Sequence, residues 1–177
     1  QAKGEGWAPG DAVNLSIGQG ELLVSPLQVA ALMAAVGNGG TLYRPHVVEM
    51  IAADPNNPDW TFEPEAVGQL PVSAEGLEVI QTSLFRVTSA PHGTAYAPFE
   101  GLSIPVAGKT GTAESGQEEP HSWFAGYAPA ENPEIAIAAI VEHSGEGAKF
   151  AAPLFRRVVE AYFGIEPEPT AEPTPSP

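Results

Sequence analysis

The chain has 177 residues, with 7 Lys and Arg against 22 Asp and Glu, a formal charge of -15 and 43% hydrophobic residues, which suits one ordinary domain. The acid excess repels a phosphate backbone and no Lys/Arg run offsets it, so nucleic acid is excluded as a default partner. Cysteine is absent, which excludes disulfide frameworks, thiolate zinc sites and thiol nucleophiles.

The chain begins at Gln1 without a basic segment leading into an apolar core, so no signal peptide is visible and the sequence reads as an internal or processed piece of something longer. Ser25-Pro26-Leu27-Gln28 opens the first expected helix: Ser at N-cap, Pro at the first helical position and Gln in capping-box register. That helix runs through Val36 and stops at Gly37-Asn38-Gly39-Gly40; being nearly all apolar, it is expected to be buried. Its apolar stretch from Val29, like Ile135 to Val141, is far shorter than the about 20 residues that span a bilayer.

Strands are expected over Thr41 to Ile51, Leu102 to Ala113, Ser122 to Tyr127 and Glu134 to Glu142. Between the first two, a helix from near Ser73 carries Leu77, Ile80, Leu84 and Val87 at helical spacing and ends before Pro91. The last three strands are joined by connections too short for a crossover helix, which predicts an antiparallel meander. Ile135 to Val141 is apolar at every position, as a strand covered on both faces should be. A third helix starts at about Pro153, with Leu154, Phe155, Val158, Val159, Tyr162 and Phe163 on one stripe and Gly164 where a C-cap belongs, and should pack on the sheet. The expected fold is α/β of the α+β type: a central antiparallel sheet sandwiched by helices, spanning residues 1–165. Residues 166–177, EPEPTAEPTPSP, read as a disordered Pro/Glu/Thr-rich tail.

Gly108-Lys109-Thr110-Gly111-Thr112 is the most informative segment. A phosphate loop is a poor reading, because the pattern requires Gly where Ser103 stands and a helix where a strand is expected. The alternative is the Lys-Thr-Gly element of serine acyltransferases that handle penicillins and peptidoglycan stem peptides. On a strand bordering a cleft, Lys109 supplies positive charge, and the hydroxyls of Thr110 and Thr112 share a side and can bond a substrate carboxylate. Gly111 clears space for an extended peptide, and the Thr112 N–H can point at a developing oxyanion. Lys109 and Thr112 are thus candidate catalytic residues, and Lys109, Thr110, Gly111 and Thr112 candidate substrate-binding residues. An ordinary strand with a surface Lys and a Gly bulge remains the plain alternative.

The surrounding residues point one way. Ser16-Ile17-Gly18-Gln19-Gly20-Glu21-Leu22, then Val24 to Ala30, Gly37 to Gly40, Val106 to Glu114 and Ser122-Trp123-Phe124-Ala125-Gly126-Tyr127-Ala128-Pro129 together resemble class B penicillin-binding proteins from about Asp11 to Gly164. The SIGQG wording is nearer the elongation, rod-shape type than the division type. The resemblance implies the C-terminal part of a peptidoglycan D,D-transpeptidase domain, of β-lactamase/transpeptidase-like but incomplete fold, with stem peptides and β-lactams as ligands. It implies no metal and no organic cofactor. It also implies a place at the extracytoplasmic face of the cytoplasmic membrane, held by an N-terminal anchor missing from this chain.

Two parts of the family pattern are missing. None of Lys3, Lys109 and Lys149 has a Ser three places before it, so Ser-x-x-Lys is absent, and no Asn lies two after a Ser, so Ser-x-Asn is absent too. The nucleophile and its proton acceptor are expected from an upstream half of the same domain, and this chain alone is expected to be inactive. The rival reading is a noncatalytic module that binds cell-wall peptides or a partner. A third possibility is an incidental piece of that domain, expected to fold poorly alone and to expose apolar surface and an unpaired strand edge.

Other candidates carry less. His46, His92, His121 and His143 lack zinc spacing. His143 and Ser144, as neighbours in a strand, would point to opposite faces. Trp123, Phe124 and Tyr127 could line a cleft but suit a core better. The sequence does not place Arg44 or Arg86 near Lys109, and Glu118-Glu119 reads as a solvated turn.

Overall fold

The structure is a computed structural model that describes residues 8–20, 22–54, 56–114, 116 and 119–166. The tail beyond residue 166, Lys3 and Glu118 lie outside the described residues.

Helix α1, Pro9–Ser16, has Pro at its first position, and Asp11 accepts from the Ala8 N–H at 2.7 Å. Helix α2, Pro26–Gly37, forms as its caps dictate: Ser25 Oγ accepts from the Gln28 N–H, and Gln28 Oε1 accepts from the Ser25 N–H at 2.8 Å. Four short strands follow, β1 (Thr41–Tyr43), β2 (Met50–Ile51), β3 (Trp60–Thr61) and β4 (Ala66–Gln69). They form two separate antiparallel pairs, β1 with β4 and β2 with β3. The expected strand over Thr41 to Ile51 is therefore broken, with Pro45, which has no N–H to offer a ladder, inside the break.

Helix α3, Ala74–Ser89, starts at a Ser73 cap whose hydroxyl accepts from the Gly76 N–H at 3.1 Å. The short α4, Tyr96–Phe99, precedes β5 (Ala107–Ala113), β6 (His121–Ala128) and β7 (Ile135–Val141). These three form the expected antiparallel meander in the order β5-β6-β7. Residues 102–106, expected as strand, are outside β5, again at a proline, Pro105. Helix α5, Ala151–Tyr162, closes the fold, and Gly164 takes the left-handed conformation, φ +66°, at its expected end.

Period-2 alternation divides the meander into two cores. On one face Phe124, Ala128 and Ala139, with half-buried Ile135 and Ile137, pack under Phe155 and Val159 of α5 and Phe99 of α4. The rings of Phe99, Phe124 and Phe155 lie 4.8–5.9 Å apart in tilted and edge-on pairs, the arrangement aromatic quadrupoles favour. On the other face Ala107, Ala125 and Tyr127, with Ala136 and Ala138, pack under Met33 and Val36 of α2 and Leu77 of α3. Desolvation there pushes the Tyr127 phenol above its ordinary range. The sheet is thus covered by helices on both sides, and β7 is covered on both faces as its unbroken apolar run requires.

Two polar anchors lock the layers. Buried Ser122 donates to the Glu146 carbonyl at 3.1 Å and accepts from the Ala151 N–H at 3.0 Å, fixing the start of α5 to β6. Arg156 pairs with buried Glu160 at 2.7 Å and also donates to the carbonyls of Pro98 and Glu100.

The expectation for α2 needs correction. Met33, Ala35 and Val36 are buried, but Leu27 is 62% and Leu32 47% exposed. Only one side of this all-apolar helix meets the sheet, and the described residues put nothing over the other. Leu154, Val158 and Tyr162 of the α5 stripe are likewise exposed, so the helix buries a narrower face than its spacing suggests. No helix among the described residues is long and apolar enough to cross a membrane.

Candidate functional site

Among the described residues β5 pairs on one side only, with β6. Its other edge borders a cleft of about 750 Å³ lined by Ile17–Gly20, Leu22–Val24, Val29 and Met33 of α2, Lys109–Glu114, His121, Trp123 and Ala125, and Ile140 and Glu142. All four candidate residues therefore lie on one cleft wall.

The register sets which way they face, since directly opposed residues in an antiparallel pair share a face. Lys109 opposes Ala125 and Gly111 opposes Trp123, on the α2 side; Thr110 opposes Phe124 and Thr112 opposes Ser122, on the α5 side. The two hydroxyls share a side, as expected, while the lysine starts from the other. The long lysine side chain removes the difference. Its Nζ reaches the strand edge, donating to the Thr110 carbonyl at 2.8 Å and lying 3.4 Å from Thr110 Oγ1. Charge and hydroxyl thus converge at the rim of the cleft.

That edge can be read further. The Thr112 carbonyl accepts from Gln19 Nε2 at 3.0 Å across 93 residues of sequence. Thr110 and Thr112, two residues apart, offer their carbonyls to the side chains of Lys109 and Gln19 rather than to β6, so both point away from it. N–H and C=O of one strand residue share an edge, so the Thr112 N–H also faces outward.

Gly111 has a second reason to be glycine besides leaving room for a peptide. A Cβ there would stand 3.1 Å from Trp123 Cβ, tighter than ordinary contact. From a second direction Gly147 presses on the same place: its Cβ would fall 2.6 Å from the Gly111 carbonyl oxygen and 2.4 Å from that of Trp123. Any side chain at buried Gly147 would push the segment leading into α5 off the strand that carries the motif.

Sequence reasoning gave no role to Gln19, Thr94, Ser122 or Gly147. Thr94, between α3 and α4, places Oγ1 3.0 Å from Thr110 Oγ1, a contact no local pattern announces. The nearest available signal was for Gln19 and Ser122, which lie inside the segments that carry the family resemblance. Of the aromatics, Phe124 and Tyr127 are core and half-buried Trp123 lines the cleft. Arg44 forms a two-pronged pair with Glu65, closest approach 2.6 Å, and neither it nor Arg86 is among the cleft-lining residues. Ser144 follows β7 rather than lying within it and donates to the Val141 carbonyl at 2.8 Å. His143 Nδ1 lies 3.4 Å from the carbonyl of exposed Glu119. Among the described residues, no group of three or more His, Asp or Glu could hold a metal ion.

A helix-covered antiparallel meander with Lys109, Thr110 and Thr112 along one edge is the arrangement expected from the sequence resemblance. The chain belongs to the penicillin-binding protein transpeptidase domain family, whose family model matches residues 1–160. It is similar to the peptidoglycan D,D-transpeptidase MrdA of Haemophilus influenzae, 31% identical over 88% of this chain and 26% of that protein. It is also similar to the peptidoglycan D,D-transpeptidase PbpA of Mycobacterium tuberculosis, 33% identical over 86% of this chain and 32% of that protein. The chain thus spans between a quarter and a third of these relatives. Among solved structures, Pseudomonas aeruginosa PBP2 aligns with a TM-score of 0.72 and 31% identity, covering 89% of this chain and 34% of that one. The imipenem acyl-enzyme of M. tuberculosis penicillin-binding protein A gives 0.73 and 29%, covering 85% and 33%.

Proposed function

We propose that this chain forms one wall of a serine D,D-transpeptidase site that cross-links peptidoglycan stem peptides and is acylated by β-lactams. The observation that carries the reading is the meeting of Lys109 Nζ and Thr110 Oγ1 on the free edge of a cleft-lining strand. A substrate carboxylate placed there would accept charge-assisted bonds from Lys109 and the hydroxyls of Thr110 and Thr112. The outward Thr112 N–H would donate to the carbonyl oxygen as it gains charge, a fixed dipole aimed at a developing oxyanion. Thr94 Oγ1, 3.0 Å from the Thr110 hydroxyl, helps to orient it.

The residues present recognise and polarise a substrate; they do not attack it. Ser-x-x-Lys and Ser-x-Asn are absent from the 177 residues, so the nucleophile is supplied from elsewhere, in this reading by an upstream half of the same domain. Exposed Ile17, Leu23 and Leu27, at 72%, 84% and 62%, offer that half an apolar face to cover. Residues 1–165 then belong to the domain and 166–177 to a tail. The assembled protein would work at the extracytoplasmic face of the cytoplasmic membrane, anchored through an N-terminal segment.

Labelling with a fluorescent penicillin, resolved by denaturing electrophoresis, tests this on the 177-residue chain and on a chain extended upstream through Ser-x-x-Lys and Ser-x-Asn. The expected result is a covalent band in the longer chain only. No band in either would leave a peptide-binding module as the better account.

A further inference from the structure

The free edge of β5 is capped by side chains in this structure. Its outward carbonyls at Thr110 and Thr112 accept from Lys109 Nζ and Gln19 Nε2. Lys109 has a role in the proposed site; Gln19 has none.

An unpaired strand edge is a template for an added strand, and an extended peptide that joins it gains main-chain hydrogen bonds in exchange. For a peptide entering the cleft, the Thr112 carbonyl is the acceptor beside the outward Thr112 N–H, so one residue can engage both a carbonyl oxygen and a neighbouring amide N–H of the same ligand. In this structure that acceptor is held by a carboxamide, which has the donor chemistry of a peptide N–H. Gln19 reaches it from the segment 17–20, which lines the same cleft, so cap and ligand would occupy the same space beside one acceptor. A side-chain donor satisfies that carbonyl without fixing a whole strand.

Building on the proposed transpeptidase reading, we propose that Gln19 is a specificity-determining residue: its carboxamide caps the Thr112 carbonyl and is exchanged for the amide N–H of an acyl-donor peptide or of an amide-bearing β-lactam. Ligands with that N–H replace the bond they break, and ligands without it leave the cap in place. Gln19 therefore sets how strongly the site distinguishes the two.

The test uses the extended chain and two acylating agents: penicillin G, whose acylamino side chain carries the N–H, and imipenem, which lacks one. Second-order acylation rates are measured for the parent, Gln19→Ala and Gln19→Glu. Both variants remove the donor, so penicillin G no longer displaces a competitor. The penicillin-to-imipenem rate ratio is expected to rise about fivefold in each, the value of one net hydrogen bond. A ratio that stays level or falls in either variant overturns the proposal, because a cavity or charge effect without loss of the donor would not move both variants the same way. A parent that neither agent acylates overturns the transpeptidase reading itself, a result distinguishable from an acylated parent with insensitive variants.

Discussion

The two faces of α2 and the two faces of β7 are both apolar in sequence, yet they end differently. β7 lies between α5 and α2 and has company on each side, whereas α2 touches the sheet through Met33 and Val36 and leaves Leu27 and Leu32 exposed. Composition is the same in kind; what differs is whether this chain holds a partner for the second face. On its α5 side the meander closes over Phe99, Phe155 and Val159, a closed unit apart from the free β5 edge, while the segment from α1 through α2 presents a surface of Ile17, Leu23 and Leu27. That surface lies beside the cleft, so the open part of the fold and the candidate site coincide.

The largest stability effect is expected inside the closed unit. Phe155 is fully buried against Phe99 and Phe124, and Phe155→Ala should cost about 3–5 kcal/mol in a denaturant titration. Ser122→Ala comes next at about 1–3 kcal/mol, because it strands the buried Ala151 N–H. Near-neutral results for both would show that the meander is no better closed than α2.

Leu27→Ser sharpens the comparison from the other side. In this chain the exposed leucine should tolerate the change within about 0.5 kcal/mol. In the extended chain, if the face is covered, the same change should cost about 1.5–3 kcal/mol. Equal costs in both would mean that the exposed face of α2 is not an interface.

The smallest effect is at the surface pair Arg44–Glu65. The hydrogen bond from Arg44 holds the Glu65 carboxyl below its ordinary pKa, so any contribution of the pair is complete above the ordinary carboxylate range and fades as pH falls through the lowered value. Arg44→Ala should move the Glu65 titration, followed by NMR, back upward, with little change in the melt.

Where a signal was local, the sequence was legible. Ser25 with Gln28, and Ser73, start α2 and α3 where their capping chemistry predicts, and alternation along β6 and β7 sorts Phe124 from Tyr127 onto opposite cores. Two expected strands are shorter than their apolar spans, each interrupted at a proline, Pro45 and Pro105, that has no N–H for a ladder. The α4 turn of 4 residues is too short for a periodic signal. The contents of the cleft were legible only in part: the Lys-Thr-Gly strand showed itself, but Gln19 on Thr112 and Thr94 on Thr110 are tertiary contacts that no spacing rule encodes. The same is true of Gly147, whose need for glycine comes from Gly111 and Trp123, distant in sequence.

The most direct test of the central claim is the acylation rate of Lys109→Ala in the extended chain, measured with fluorescent penicillin beside the parent. If the cleft edge is the carboxylate and oxyanion wall, the rate should fall by at least about a hundredfold, the scale expected when a preorganised electrostatic group is removed from such a site. A near-parental rate, with the variant folded by its circular dichroism, would contradict the assignment of Lys109 and of the strand that carries it.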